Sequence, residues 1–511
     1  MRKLVHFDIS DLAFVYTTLF ALSLVLINPW GNPFGNIWTT PKVYLIIALA
    51  LLTWGVLFVQ GARSLWRSKR QNAGPLRLPA RWSVALLLWL AFLASGMVTI
   101  FLSPVTFRSA LIANDEMGDG WVYWAWMAAL VCGNALVLKR FPQLFRAQLY
   151  GLLIGGVISA GAVFAQNVNW KLDFTDTSGQ SVVFEKRLYT QSWIPRGFMP
   201  IGFTSNRGHV GFVLAALTVL VLVCRVRGWL KERVVWPLYA VFLGAVYLTS
   251  TRGVMLAFGV GMVYLLLRCW RVPGGRKVML IAFAPLFLAG ALLASGVVGT
   301  GLTRTLPPLS DIVKNPFKFT SMRTDLWSSA ADGVRARPLF GWGFNGFGLA
   351  WPHVNDFDVR WGQRLAKNSK GKPIGVVRIL RNNQTSFEYL GEDGNTHRVG
   401  GLTNKAHNII LDTAVSVGLV GLALYALLFG FFVFVTARGD GWGLEVLGIV
   451  YLVFGLTWFE SAQYSHLVWW ALSVGLAYAL PQGVRARDPN APTGRVIGAP
   501  NTGSAGGVSS R

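Results

Sequence analysis

Charge is scarce in this sequence, and negative charge is the scarcest part of it. Only 14% of the 511 residues are charged, and 22 Asp and Glu stand against 47 Lys and Arg. A soluble domain averages about a quarter charged residues, so the composition excludes an ordinary soluble protein. The mean hydropathy of +0.47, together with 33 Phe and 22 Trp, indicates a chain that lies largely in lipid.

Cysteine is nearly absent as well. Cys132 falls within an apolar stretch, and Cys224 and Cys269 fall where such stretches end. These few thiols exclude a disulfide framework and a zinc site of the Cys/His type. The sequence also lacks a DxD-like pair and a cluster of histidines and carboxylates. We therefore expect neither a metal nor another cofactor.

Apolar stretches of about 20 residues recur along the whole chain, and this is the length that crosses a bilayer as a helix. They predict an all-α polytopic membrane protein, because a helix in lipid satisfies its own backbone hydrogen bonds. About twelve spans are expected, at 12–28, 43–60, 82–102, 121–138, 147–166, 209–224, 234–250, 253–267, 278–298, 408–435, 442–459 and 466–480.

The net charge of +25 is compatible with nucleic-acid binding. The placement of the basic residues decides whether this charge indicates nucleic-acid binding or membrane topology. They concentrate in alternate connections between spans, at 63–81, 139–146, 225–233 and 268–277, then at Arg438 and in the tail. The connections that alternate with these carry few basic residues. This positive-inside asymmetry predicts that both termini face the cytoplasm. Membrane lipids, and not nucleic acid, are the expected partners of this charge.

Two connections on the opposite side are long, and they define the expected domains. These are 1–298 with spans one to nine and an outer loop at 167–208, 299–406 as a large outer loop, 407–481 with the last three spans, and 482–511 as a disordered cytoplasmic tail. Within the large loop, a stretch from Met322 has apolar residues at helical spacing. The alternating pattern after Pro373 predicts a small β element.

Polar residues gather where spans meet the outer surface. From Arg233 to Arg252 a helix covers about 28 Å, close to the roughly 30 Å of hydrocarbon, so Arg252 lies at the tip of a tight hairpin. Arg207 reaches a similar depth, flanked by Asn206 and His209. A single interfacial arginine is often a snorkelling side chain. Arg252, however, lies in a three-residue turn on the side that the charge rule disfavours, which favours a functional cation.

The tenth span begins with Lys405, His407 and Asn408. A straight helix projects His407 outward by up to about 16 Å, whereas a bend near Gly418 and Gly421 lowers it. Either course keeps the imidazole near the lipid head groups. A histidine beside an asparagine is also compatible with a plain helix cap, but a cap does not account for the neighbouring lysine. We therefore expect a titratable base at the height of a lipid-linked phosphate.

Three stretches together resemble the O-antigen ligase and polymerase superfamily: "STRG" at 250–253, "RTDLWSSAADGVRARPLFGWGFNGFG" at 323–348 and "KAHNIILDTAVSVGLVGLALYALL" at 405–428. The resemblance covers roughly residues 200–435. It implies a GT-C-like membrane protein of the bacterial inner membrane whose active site faces the periplasm. Such a protein transfers a glycan from an undecaprenyl-pyrophosphate carrier to an acceptor hydroxyl, without a metal or a nucleotide sugar. The stretch 353–403 makes the loop longer than in many members.

By position, the resemblance implies that Arg252, Arg323 and His407 are catalytic. The substrate-binding residues are expected to be Arg207, Asn206, His209, Lys405, Asn408, Trp342 and Asn345. Asp412, about one helical turn further on, is expected to support Asn408. Guanidinium groups suit a departing pyrophosphate because they bind it with bidentate, charge-assisted hydrogen bonds. A neutral histidine suits the removal of a hydroxyl proton near pH 7, and one direct displacement inverts the anomeric carbon.

The sequence leaves the acceptor open within this superfamily. An O-antigen ligase that uses lipid A–core is the main expectation, and a polysaccharide polymerase or a protein O-oligosaccharyltransferase is the alternative. A transporter of lipid-linked glycans is a more distant alternative. Transporters usually place charge at mid-membrane and show related halves. Here the spans are nearly free of charge and the polar residues gather on one side, which favours an enzyme.

Overall fold

Helices dominate the computed structural model, which describes residues 8–28, 36–68, 80–103, 111–112, 118–168, 200–294, 323–354, 366, 368–372, 374–382, 387–399 and 405–478. The helices are α1 (Ile9–Val25), α2 (Thr40–Ser68), α3 (Ala80–Leu102), α4 (Trp121–Arg140), α5 (Leu144–Asn167), α6 (Arg207–Val226), α7 (Glu232–Leu248), α8 (Arg252–Cys269), α9 (Gly275–Ala294), α10 (Arg323–Ala336), α11 (Phe347–Val354), α12 (Ile409–Arg438), α13 (Glu445–Gly455) and α14 (Ser465–Ala477). The strands are β1 (Val376–Asn382), β2 (Phe387–Gly391) and β3 (Thr396–Val399).

Each of the twelve predicted spans coincides with a helix, from α1 to α9 and from α12 to α14. Seven of these are long and apolar enough to cross a bilayer, namely α2, α3, α4, α5, α6, α8 and α12. The predicted helical membrane protein is confirmed at this level, and the count of twelve crossings stays a prediction. The predicted tail at 482–511, most of the loop at 167–208 and residues 299–322 lie outside the described residues.

Helix α6 lies at the centre of the bundle. Every side chain from Gly208 to Cys224 is buried, against α5, α7, α8, α9 and α13. A helix that is apolar on all sides is stable only when neighbours cover it completely. Helices α2, α3 and α12 instead leave one face uncovered, as expected for helices at the lipid boundary. Arg207, the first residue of α6, therefore stands over the middle of the bundle.

A tight hairpin joins α7 to α8, as the spacing of arginines predicts. Only Thr249, Ser250 and Thr251 separate the two helices, and Ser250 adopts a positive φ of 46°. Thr249 donates its hydroxyl to the Val246 carbonyl at 2.8 Å, which caps the end of α7. Arg252 is the first residue of α8 and is exposed. The hairpin thus presents the guanidinium at one end of the bundle.

Helix α12 breaks at Gly418, where φ is 71° and ψ is −179°. Of the two courses that the sequence left open for this helix, the structure has the bend, and the helix does not project straight. A break leaves carbonyl and N–H groups without helical partners. Here residues 338–343 of the large loop supply them through main-chain N–H to carbonyl bonds. These run from Trp342 to Val415 (2.9 Å), Gly343 to Ser416 (2.9 Å), Leu419 to Pro338 (2.8 Å) and Val420 to Leu339 (3.3 Å). The break fixes the loop to α12.

The large loop has its own small core. Helix α10 packs on α11 and α12, and β1, β2 and β3 form an antiparallel sheet in that order. The strands confirm the predicted β element. Side chains that alternate inward from β2 join aromatic residues of α11 and its preceding turn; the buried set includes Phe387, Tyr389, Val399, Trp342, Phe347 and Trp351. This core and the bonds at Gly418 hold the start of α10 over the bundle.

Candidate active site

Four helices begin at one end of the bundle, and the predicted functional residues stand at their first turns. Arg207, Arg252 and Arg323 are the first residues of α6, α8 and α10, and His407 precedes the cap of α12, Asn408. The N-terminus of a helix carries partial positive charge from unpaired N–H groups. An arginine there gains nothing from the helix dipole. The arrangement instead concentrates positive charge, as in an anion-binding site.

Arg207 lies within electrostatic range of the other two arginines. Arg207 interacts with Arg252 and with Arg323, and burial, followed by the charge of Arg207, lowers the pKa of Arg323. Within the described part of the chain, none of the three forms an ion pair with a carboxylate. Like charges held together in a half-buried place are unfavourable for the protein alone. A bound anion relieves that repulsion.

An aromatic pair, Trp458 and Phe459, lies beneath this cluster. The two rings stack with centroids 5.4 Å apart and planes 21° apart. Trp458 lies 5.2 Å from the His407 ring and 5.7 Å from the His209 ring, both edge-to-face, and its ring centroid is 5.3 Å from the Cζ of Arg323. Sequence reasoning missed this pair. An aromatic residue at the end of a span is usual for any membrane protein, so it carries no distinct signal.

His407 is held neutral by its surroundings. Burial among aromatic rings, and then the positive charge of Arg323 and the nearby His209 and Lys405, lower the pKa of His407 to about 3. Its Nδ1 is buried and has no hydrogen-bond partner among the described residues. The backbone has a positive φ of 53°, and the carbonyl accepts from the Trp327 indole at 3.3 Å. A neutral ring at physiological pH is the protonation state that a general base needs.

Asn408 caps α12, and its expected part in substrate binding stays a prediction. Its side-chain oxygen accepts from the N–H groups of Ile410 (3.0 Å) and Leu411 (3.1 Å). Its amide nitrogen donates to the Leu456 carbonyl at 3.1 Å. With both ends of the amide occupied, Asn408 fixes the direction of the helix and of the residue before it. It acts on the site through the backbone of His407.

Lys405 does not face the arginine cluster, contrary to its expected role in substrate binding. Its side chain is only 1% exposed and bonds to Asp119 and to Asp412, the latter at 3.0 Å. Burial alone lowers the pKa of Lys405, but the two carboxylates outweigh it and raise the pKa, so the ammonium stays charged. Asp412 also accepts from the Ala406 N–H at 3.0 Å. The expectation that Asp412 supports Asn408 is wrong, because a full opposite charge competes better than an amide.

A comparison with known proteins finds a match in the middle of the chain. Residues 237–426 match the family model described as O-antigen ligase. The resemblance to the O-antigen ligase superfamily is confirmed. The matched segment contains Arg252, Arg323 and His407, and it supports a membrane enzyme of the ligase or polymerase type. No curated protein matches the chain.

Two further predicted residues lie at the head of α6, before the segment that matches the O-antigen ligase model. Asn206 is exposed and caps the helix by accepting from the Gly208 N–H at 2.8 Å. His209 is buried, and its Nδ1 lies 3.2 Å from the side-chain oxygen of Gln463. Asn206 is therefore within reach of a ligand at the rim. His209 contributes beneath the surface, through its contact with Trp458.

The last two predicted residues, inside the ligase-like segment, are structural in their contacts. The indole of Trp342 donates to the Gly333 carbonyl at 2.9 Å, and the guanidinium of Arg337 lies over its ring at 4.6 Å. Asn345 is buried with a positive φ of 58° and borders a cavity of about 30 Å³ that Asp412 also lines. Both side chains belong to the packing between loop and bundle rather than to the arginine cluster.

Proposed function

We propose that this protein transfers a glycan from an undecaprenyl-pyrophosphate carrier to an acceptor hydroxyl at the periplasmic face of the bacterial inner membrane. The observation that carries the proposal is one cluster: three arginines without carboxylate partners in the described chain, each at a helix start, beside a neutral histidine. The match to O-antigen ligase favours lipid A–core as the acceptor.

The arginines suit the donor because the leaving group gains negative charge as its bond to the sugar breaks. Arg252 and Arg323 bind the pyrophosphate through charge-assisted hydrogen bonds, and Arg207 adds charge from the head of α6. The half-buried positions of Arg207 and Arg323 strengthen their contacts relative to bulk water. In this scheme the cations provide the electrostatic stabilisation that a divalent ion provides in other glycosyltransferases, so the reaction is metal-independent.

His407 suits the acceptor. A ring nitrogen takes the proton of the acceptor hydroxyl while that oxygen bonds to the anomeric carbon. The bond from this carbon to the phosphate oxygen breaks in the same step, and its electron pair leaves with the pyrophosphate. A single displacement of this kind inverts the anomeric configuration and needs no nucleophile from the protein. The proposed role uses His407 in the neutral state that its surroundings favour.

The direct test is transfer in proteoliposomes that contain the purified protein and an undecaprenyl-pyrophosphate-linked glycan. Lipid A–core, a second carrier-linked glycan and a hydroxyl-bearing peptide are offered in parallel. Product on lipid A–core supports the ligase, and product on the glycan or the peptide supports the polymerase or the protein glycosyltransferase. Movement of the donor across the bilayer without any transfer supports the transporter and contradicts the proposal.

The proposed orientation has a separate test. Reporter fusions after residues 70, 230 and 440 are expected to read cytoplasmic, and a fusion at residue 370 is expected to read periplasmic. Opposite readings place the arginine cluster at the cytoplasmic face, where a periplasmic acceptor does not reach it.

A further inference from the structure

Trp458 contacts side chains from three of the four helix starts that carry the proposed site. Its ring faces Arg323 of α10, His407 before α12, and His209 of α6, at centroid distances of 5.3, 5.2 and 5.7 Å. The indole is only 7% exposed, so these contacts replace water over nearly the whole ring. It lies outside the segment that matches the O-antigen ligase model.

The position of the indole is tightly constrained. It stacks between Phe454 (5.5 Å, 23°) and Phe459 (5.4 Å, 21°). On the side of α6 it packs on Gly208, where an added Cβ would lie 3.0 Å from a ring carbon. A larger residue there would displace the indole. The ring therefore acts as a fixed surface and does not adapt to its neighbours.

We infer that Trp458 is a positioning residue for glycan transfer: it holds the Arg323 guanidinium toward the donor and keeps the His407 ring oriented and out of water. This inference rests on the proposed function. A guanidinium held near an indole by cation–π attraction keeps its N–H groups available for a bidentate bond to phosphate. An imidazole that meets two aromatic rings edge-to-face loses rotational freedom. Both effects come from the same side chain.

The chain offers a matched control at the opposite end of the bundle. Trp229 is 6% exposed, packs on an aromatic ring, Phe145, and lies 5.3 Å from the Cζ of Arg227. Trp229→Leu therefore removes a comparable indole and a comparable cation–π contact. A merely structural role predicts the same outcome for Trp229→Leu and Trp458→Leu.

In the proteoliposome assay, Trp458→Leu is expected to raise the KM for the donor about tenfold through the lost cation–π contact. The kcat is expected to fall about 10²-fold, because displacing a catalytic group by about 1 Å lowers the rate by about this factor. Trp229→Leu is expected to leave both within about twofold, at equal membrane level. Adding Arg323→Ala to Trp458→Leu is expected to raise KM no further than Arg323→Ala alone, since both changes remove one contact.

The acid side of the pH profile provides a readout that packing does not move. The groups that face His407 are Arg323 from α10, His209 from α6 and Lys405 from its own segment. When Trp458→Leu admits water and releases Arg323, the pKa of His407 rises toward its ordinary value. A loss of kcat/KM between pH 7 and 5 is therefore expected in this variant and in neither the wild type nor the control.

Trp458→Phe gives a milder second variant if the leucine variant does not accumulate. The indole nitrogen of Trp458 has no hydrogen-bond partner among the described residues, so phenylalanine removes no bond within them. A phenyl ring attracts a cation less than an indole, and a KM about threefold higher is expected. The inference is overturned if both Trp458 variants have the same kinetics and pH profile as Trp229→Leu while the wild type transfers glycan. A wild type without transfer overturns the proposed function and the inference together.

Discussion

Arginines at the two ends of the helical bundle differ in their bonding partners. At the end predicted to face the cytoplasm, Arg225 pairs with Glu232 at 2.8 Å and Arg268 pairs with Glu445 at 3.2 Å. Arg227 donates to the Asp440 carbonyl at 2.5 Å. At the other end, Arg207, Arg252 and Arg323 have no carboxylate partner among the described residues. Within the described residues, the three arginines of the cluster thus differ from Arg225 and Arg268, which each have a carboxylate partner.

This difference separates charge that serves folding from charge available to a ligand. A half-buried cation without a counter-ion costs free energy, and a protein that needs only its shape would pair it or replace it. Asp119 and Asp412, two buried carboxylates, are paired with Lys405. The paired end orients and anchors the chain, and the unpaired end is suited to an anion.

The largest expected effect comes from the base. His407→Ala is expected to reduce the transfer rate about 10²–10⁴-fold, the usual loss of a general base. Donor affinity in a binding assay is expected to stay near that of the wild type, because the arginines remain. His397→Ala, in the loop sheet beside Asp393, is the control and is expected to be active. Loss of donor binding in His407→Ala would make the ring a pyrophosphate contact instead.

Replacing one arginine at each end tests the comparison itself. Arg252→Lys keeps the charge but loses the planar fork, so kcat/KM is expected to fall about 10- to 100-fold, the worth of a charged hydrogen bond. Arg225→Lys changes an exposed ion pair, and less than a twofold change is expected. Both are measured in the transfer assay at equal membrane levels. Equal kinetics in the two variants would remove the distinction between paired and unpaired arginines.

A smaller effect is expected from pH. Since the pKa of His407 is lowered to about 3, the ring stays neutral from pH 8 to pH 5, and the base is not lost in this range. The kcat/KM of the wild type, which reports the free enzyme, is expected to change less than about twofold there. If the base were an ordinary histidine with a pKa near 6.5, kcat/KM would fall about 30-fold by pH 5. That larger loss, with a midpoint near 6.5, would show a ring exposed to water.

No effect is expected from chelation. If the three arginines supply the positive charge at the leaving group, exhaustive treatment with EDTA leaves the transfer rate unchanged. The rate before and after treatment is compared, followed by addition of magnesium or manganese. A loss that either ion restores would assign the leaving-group charge to a metal.

Local patterns in the sequence were enough for much of the architecture. Each predicted span coincides with a helix because apolar length and hydrogen-bond satisfaction in lipid are properties of a stretch of chain. The hairpin at Arg252 followed in the same way from the rise of a helix, whereas the bend at Gly418 was one of two courses that the glycines left open. Alternation of polar and apolar residues likewise indicated the small sheet of the loop.

Contacts between distant parts of the chain were decided only by the tertiary structure. Lys405 follows Asp119 by 286 positions, and no periodicity connects them, so its burial in a salt bridge was not foreseen. Trp458 resembles any aromatic residue at a membrane interface until packing places Arg323 and His407 against it. The sequence by itself determined which residues lie in helices and at which end of them the cations stand. Only packing decided which cations are neutralised, because that depends on which side chains from different helices come within bonding distance.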